Sequence, residues 1–227
     1  MTSPLRLVIF DVDGTLVDSQ SDIIAAMSQA FEQASTPPPP REKILSIVGL
    51  SLDRAMAVLA PELPTDVRAK MVDWYKEAYS VLRVSVGAAQ SSPLYPGARL
   101  ALERLNDRPD ILLGVATGKS KRGLDKLFEA HDLSPFFVTQ QVSDFHPSKP
   151  NPSMIYACLS ETGAAPEHAV IVGDTSFDMD MAKAAGISAI GVSWGYHPVS
   201  GLTCADRVID SFDQLDDALM AIWGVTS

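Results

Sequence analysis

Short apolar runs rich in β-branched residues recur along the chain at Leu5–Phe10, Ile111–Ala116, Phe136–Thr139, Ala169–Val172, Ser188–Val192 and Arg207–Ile209. Runs of this length, bounded by turn formers, predict buried strands. Between the later ones, apolar residues return at helical spacing over Ala98–Asn106, Ser120–His131, Pro152–Thr162, Ser176–Ala185 and Phe212–Trp223. Ser211 stands where it can cap the last helix, with Asp213 near the positive end of its dipole. Regular strand–helix alternation predicts an α/β fold: a doubly wound, mostly parallel, Rossmann-like sheet.

One stretch departs from this rhythm. From Ser19 to Ser92 there is no convincing strand, only helical periodicity broken by punctuation. Ser19–Ala34 carries Ile23, Ile24, Met27, Ala30 and Phe31 on one stripe, the pattern of an amphipathic helix. Pro37–Pro40 then stops it, because four prolines cannot continue a helix and form a stiff extended connector. Ser51–Leu59 and Thr65–Val86 follow as further helices, with Ser51 and Thr65 as caps, before Pro93-Leu94-Tyr95-Pro96-Gly97 returns the chain to the alternating pattern. The economical division is an α/β core of residues 1–18 and 93–227 with an all-α helical insert of residues 19–92, joined by two hinges.

At 227 residues, 46% hydrophobic and 20% charged, the composition is that of a globular protein. No apolar run approaches the roughly 20 residues of a membrane helix. The N-terminus shows no basic region followed by an apolar stretch and a cleavage site. Cys158 and Cys204 form neither a metal spacing nor a disulfide framework, which suits a reducing cytoplasm. The net charge of −10 argues against nucleic acid or an anionic membrane as the main partner. An anionic substrate must therefore be captured locally, by a few cations, backbone N–H groups and a metal.

The chemistry concentrates where predicted strands end. Val8-Ile-Phe-Asp-Val-Asp-Gly-Thr-Leu-Val-Asp-Ser19 places Asp11 and Asp13 at the exit of the first strand, in a turn that Gly14 loosens. Thr117 and Gly118 end the second, Lys149 precedes a helix whose start the prolines fix, and Gly173-Asp174-Thr175-Ser176-Phe177-Asp178 leads from a strand into a helix. In a parallel sheet these ends share one side, so the four carboxylates, Thr117 and Lys149 can meet in one crevice. Carboxylates pressed together repel unless a divalent cation sits among them. All-oxygen ligands suit Mg²⁺, which also binds substrate phosphate. One aspartate can attack phosphorus and a second can move the proton.

Asp11-Val12-Asp13-Gly14-Thr15-Leu16-Val17-Asp18, Thr117, Lys149-Pro150 and Gly173-Asp174-Thr175 with Asp178 resemble the four ordered motifs of the haloacid dehalogenase-like hydrolases. Tyr95-Pro96-Gly97 and Trp194-Gly195-Tyr196 are similar in style to the phosphoglycolate phosphatase branch, and the insert matches the position of that family's helical cap. The resemblance implies a Mg²⁺-dependent phosphatase acting on a small phosphorylated metabolite. It implies Asp11 as nucleophile and metal ligand, and Asp13 as general acid/base with its backbone carbonyl on the metal. Thr117 and Lys149 would hold the phosphoryl group, Asp174 the metal, and Asp178 would support the metal directly or through water. Backbone N–H groups of Val12, Asp13 and Gly118 would complete the phosphoryl cup.

Other readings compete. A dehalogenase or a phosphonate-cleaving relative typically lacks the second aspartate, which is present here as Asp13. A phosphosugar mutase shares every core motif, and a non-catalytic protein on this fold would have lost an aspartate that this chain retains. Gly114-Val-Ala-Thr-Gly-Lys-Ser120 is one residue short of a phosphate-binding P-loop. Arg54, between insert helices, is a candidate for meeting a substrate anion, though an exposed helical arginine is ordinary.

Overall fold

The computed structural model describes residues 4–224. Six strands run β1 (Arg6–Phe10), β2 (Ile111–Thr117), β3 (Phe137–Val142), β4 (Ala169–Gly173), β5 (Ser188–Val192) and β6 (Arg207–Ile209). They form one sheet in the order β3-β2-β1-β4-β5-β6, and every pairing is parallel. β1 lies between β2 and β4 and is buried along its whole length. Phe10 pairs with Val115 on one side and Val172 on the other, which brings the ends of these three strands to nearly one level. The chain winds outward from β1 to β3, returns to β4 and winds outward the other way. A crevice opens at such a reversal beyond the carboxyl ends of the strands.

Alternation within β1 divides the core. Val8 and Phe10 face a layer containing α6 (Ala98–Asn106), α7 (Lys121–Ala130) and α10 (Leu215–Ile222), where they join Leu102, Leu105, Phe128 and Leu219. Leu7 and Ile9 face α8 (Ser153–Thr162) and α9 (Ser176–Ala185), against Ile155, Cys158, Met179 and Met181. Each fully buried large aliphatic side chain contributes about 1.5–3 kcal/mol. Burial also pushes the Cys158 thiol up to about 12, which makes it an inert core filler.

Between β1 and α6 the chain forms α1 (Gln20–Gln33), α2 (Arg41–Leu45), α3 (Leu52–Leu59), α4 (Thr65–Val86) and the short α5 (Ala88–Ser91). These helices have a hydrophobic cluster of their own, including Ile23, Met27, Phe31, Met56, Met71 and Tyr75. The segments leading out to α1 and back from α5 run side by side. Val17 bridges Leu94 in antiparallel fashion, Asp18 N–H donates to Pro93 O at 2.9 Å, and Tyr95 N–H donates to Leu16 O at 2.9 Å. No helix among the described residues is long and apolar enough to cross a membrane.

The departures from the periodicity have local causes. The third strand continues through Gln140 and Gln141 to Val142, because Gln141 is buried with its amide on Thr139 Oγ1 and its oxygen on His146. The last helix is preceded by a separate 3-10 turn over Phe212–Gln214, so Ser211 makes no side-chain cap. Pro64 occupies the cap position of α4, which makes Thr65 its first helical residue, and Ser51 makes no side-chain cap for α3. Ser19 precedes α1 without capping it, since its hydroxyl is engaged elsewhere.

Candidate active site

The turn after β1 aims its carboxylates into the crevice. Val12 is buried, and its carbonyl accepts from the N–H groups of Thr15, Leu16 and Val17 at 3.3, 2.9 and 3.1 Å, folding the chain sharply back. Gly14 sits in this turn at φ +86°, and a Cβ there would fall 2.3 Å from Asp174 Oδ2. Both the left-handed backbone and the close carboxylate demand glycine. Gly14→Ala is expected to cost about 1–3 kcal/mol from the backbone alone, read as a lower urea midpoint, and to displace Asp174.

Asp11, Asp174 and Asp178 each offer an oxygen within 4.8 Å of the other two, and all three are buried. Lys149, also buried, is the cation between them: its Nζ lies 2.9 Å from Asp11 Oδ1 and donates to Asp178 Oδ1 at 2.6 Å. The approach to Asp11 is a charge contact without hydrogen-bond alignment, so both Asp11 oxygens lack a hydrogen-bond partner. Asp174 receives Thr15 Oγ1 at 2.9 Å and the N–H of Tyr196 at 2.8 Å. Asp178 forms a capping box with Thr175 at the start of α9 and accepts from the Thr175 N–H at 3.1 Å.

The charges do not balance. Burial pushes Asp11 up to about 7, and the neighbouring Asp178 adds to this against the pull of Lys149. Burial, then Asp11 and Asp178, hold Asp174 well above the ordinary carboxylate range. Burial alone would lower Lys149, but the attraction of Asp11 and Asp178 outweighs it and keeps the lysine above its usual value and charged. One ammonium against three carboxylates, with a partnerless Asp11, is a donor set short of positive charge. A hard divalent cation fits that deficit.

Asp13 stands apart from the three-carboxylate cluster. Lys119 Nζ donates to both its oxygens at 2.7 Å, and Ser19 Oγ donates to Oδ1 at 2.5 Å. Tyr196 Oη accepts the Ser19 N–H at 2.8 Å, so one tyrosine steadies Asp174 through its backbone and the Asp13 turn through its ring. Thr117 is buried at the end of β2, with its Oγ1 accepting the Lys119 N–H at 3.2 Å. A Cβ on the adjoining Gly118 would lie 2.5 Å from Gly49 O, so the helical layer meets the sheet at this point.

Asp11, Asp13, Thr117 and Gly118 line a cavity of about 450 Å³, whose far wall is made by α1, α3 and α4. Asp174, Asp178 and Lys149 are not among the lining residues. Arg54 is exposed on α3 and is not among the lining residues. Basic residues that the motifs did not single out are there instead, Lys119 and Arg83 among them. Lys119, set aside with the incomplete P-loop pattern, is held by Asp13. Arg83 is buried on α4 and lines the cavity. The signal for Lys119 was its place two residues after Thr117, in the same strand-end turn. Arg83 gave no local signal, because only the placement of α4 along the cavity brings it here.

The fold is a doubly wound parallel sheet with a buried nest of aspartates and a lysine at its reversal. Residues 8–192 match the model of the haloacid dehalogenase-like hydrolases, and the chain belongs to that family. It is 34% identical over 225 residues to a probable phosphatase of Dickeya dadantii, covering 97% of this chain and 96% of that protein. A phosphoglycolate phosphatase of Vibrio parahaemolyticus is 29% identical over 222 residues, covering 93% and 94% respectively. Among solved structures, a haloacid dehalogenase-like family hydrolase of Streptococcus pneumoniae superposes with a TM-score of 0.80 at 26% identity, covering 94% of this chain and 98% of that one.

Proposed function

We propose that the protein is a Mg²⁺-dependent phosphatase that hydrolyses a small phosphomonoester through an aspartyl-phosphate. The observation that carries this is Asp11: a buried carboxylate that accepts no hydrogen bond, beside Lys149 and lining a cavity sized for a metabolite. The family membership and the phosphatase relatives support the same reading.

Asp11 and Asp174 would hold the metal, with the Asp13 carbonyl. Asp178, whose oxygens serve Lys149 and Thr175, would act through water or through Lys149. When bound, the cation neutralises phosphoryl oxygens and keeps Asp11 ionised. Asp11 forms the bond to phosphorus as the leaving oxygen departs with the proton of Asp13. Water then attacks, Asp13 takes its proton, and the bond from Asp11 to phosphorus breaks. Lys149, Thr117 and the N–H groups of Val12, Asp13 and Gly118 stabilise the transferring group. Lys119 fixes the orientation of Asp13. Residues 19–92 act as a cap that shields the aspartyl-phosphate and selects the leaving group, hinged at the paired segments around Val17 and Leu94.

Assay against a panel of phosphometabolites and one aryl phosphate, with and without Mg²⁺, tests the reading. Phosphate release that requires the metal is expected. Conversion of one phosphosugar into another without phosphate release would replace the phosphatase with a mutase.

Metal binding also has a signature without turnover. Folded Asp11 and Asp174 keep protons that the unfolded chain releases near the ordinary carboxylate value, so the metal-free protein loses stability as pH rises through the window from about 4 to 7. Mg²⁺ is therefore expected to raise Tm by several degrees at pH 8 and by little at pH 5. An equal rise at both would count against a carboxylate site.

A further inference from the structure

Among the described residues, Arg83 is the least satisfied buried cation. Its side chain is buried, yet Nε and Nη2 have no hydrogen-bond partner, and the guanidinium's one bond runs from Nη1 to Gly123 O at a long 3.3 Å. It lines the same cavity as Asp11, on the wall contributed by α4. Its Cζ lies 5.7 Å from the centre of the Tyr79 ring, and Lys119 Nζ lies 5.2 Å from the same centre, so one tyrosine neighbours both cations. Lys119 is already neutralised by Asp13. No carboxylate is paired with Arg83 among the described residues.

Orphaned N–H groups on a buried guanidinium are costly unless something that enters the cavity satisfies them. Five of the chain's 18 Lys and Arg residues line this cavity, in a protein of net charge −10. Lys149 and the strand-end N–H groups serve the phosphoryl group near Asp11. Arg83 lies on a different element, across the cavity wall, and is left for the remainder of the molecule.

We propose that Arg83 is a specificity-determining residue that binds a second anionic group on the substrate's leaving portion, a carboxylate or a second phosphate. This rests on the phosphatase reading above. Two free N–H directions in one plane suit either oxyanion, which a guanidinium grips in fork fashion. The Tyr79 face and the apolar side chains of Ile47, Val48 and Leu52 leave room for a short carbon skeleton between the two anions.

Matched substrate pairs test the proposal. Phosphoglycolate against ethyl phosphate isolates a distal carboxylate, and fructose 1,6-bisphosphate against fructose 6-phosphate isolates a second phosphate. p-Nitrophenyl phosphate reports the core chemistry. The wild type is expected to prefer the anionic member of one pair by about 10- to 100-fold in kcat/KM, the size of one charge-assisted interaction. Which pair shows the preference identifies the anion. Arg83→Gln should erase most of that ratio, and Arg83→Lys, which keeps the charge but loses the fork, should fall between.

If Arg83 only latched α4 to α7 through Gly123, both members of each pair would fall together and the ratio would stay, which overturns the proposal. Turnover of p-nitrophenyl phosphate with no anion preference in the wild type overturns it too, without recourse to a variant that must fold. No metal-dependent phosphate release from any compound would sink the phosphatase reading itself, and this subsite with it.

Discussion

Asp11→Asn is expected to reduce metal-dependent phosphate release by on the order of 10⁴-fold or more, the scale seen when a covalent nucleophile is removed. The substitution is nearly isosteric, in a site where Asp11 is 1% exposed and makes no hydrogen bond that the amide would lose. Folding should survive it, because the amide removes one of three crowded carboxylates. The contact with Lys149 would change from charge–charge at 2.9 Å to charge–dipole, but Lys149 keeps Asp178 at 2.6 Å. Unchanged or higher Tm together with lost turnover is therefore the expected pair of results. Residual activity above a few per cent, scaling with the purified variant rather than with contamination, would exclude Asp11 as the nucleophile. A loss of turnover accompanied by unfolding would instead assign Asp11 a structural role.

The parts of this site that could be read from the sequence are those set by strand ends. Asp11, Thr117 and Asp174 each follow an apolar run, and parallel pairing aligns such ends whatever the loops do. Their convergence was legible because register and topology follow from the alternation of strands and helices. Asp178 is ambiguous in the sequence between a helix-start residue and a metal-site residue, and its position suits both: it forms the capping box with Thr175, bonds Lys149 and offers an oxygen to the three-carboxylate cluster. The helical segment was legible as periodicity, but not as a surface. Nothing in its pattern distinguishes Arg54, exposed on α3, from Arg83, buried over the crevice, since both are arginines on amphipathic helices. The difference is a product of which side of the insert faces the cavity. Lys119 was hidden by its motif context, where it looked like part of a failed phosphate loop rather than a partner for Asp13. Ser19 looked like a helix cap because of its position, and only the fold of the turn after β1 brings its hydroxyl to Asp13.

Lys149→Met is expected to have the second largest effect, and on stability as well as turnover. Methionine fills most of the lysine's volume, so a cavity contributes little and the electrostatic role stands alone. The wild-type ammonium is 0% exposed and faces Asp11 and Asp178. Breaking such a buried pair typically costs about 3–5 kcal/mol, because the remaining charges are left uncompensated. The sign with pH follows from which groups must then carry protons. In the wild type, Lys149 titrates above its ordinary value, so its contribution is fully present below the unfolded lysine value and is lost only in strong base. Without it, Asp11 and Asp174, already pushed upward, must stay protonated to still higher pH. The unfolded chain releases those protons at an ordinary carboxylate value, so the variant keeps losing stability through neutral pH. The gap between wild type and variant in urea midpoint should therefore be smallest near pH 5 and widen towards pH 8. Mg²⁺ should narrow it at pH 8 by supplying the missing positive charge. A gap that is constant across this range and indifferent to Mg²⁺ would mean that Lys149 acts by packing alone, and that the buried aspartates do not depend on it for charge.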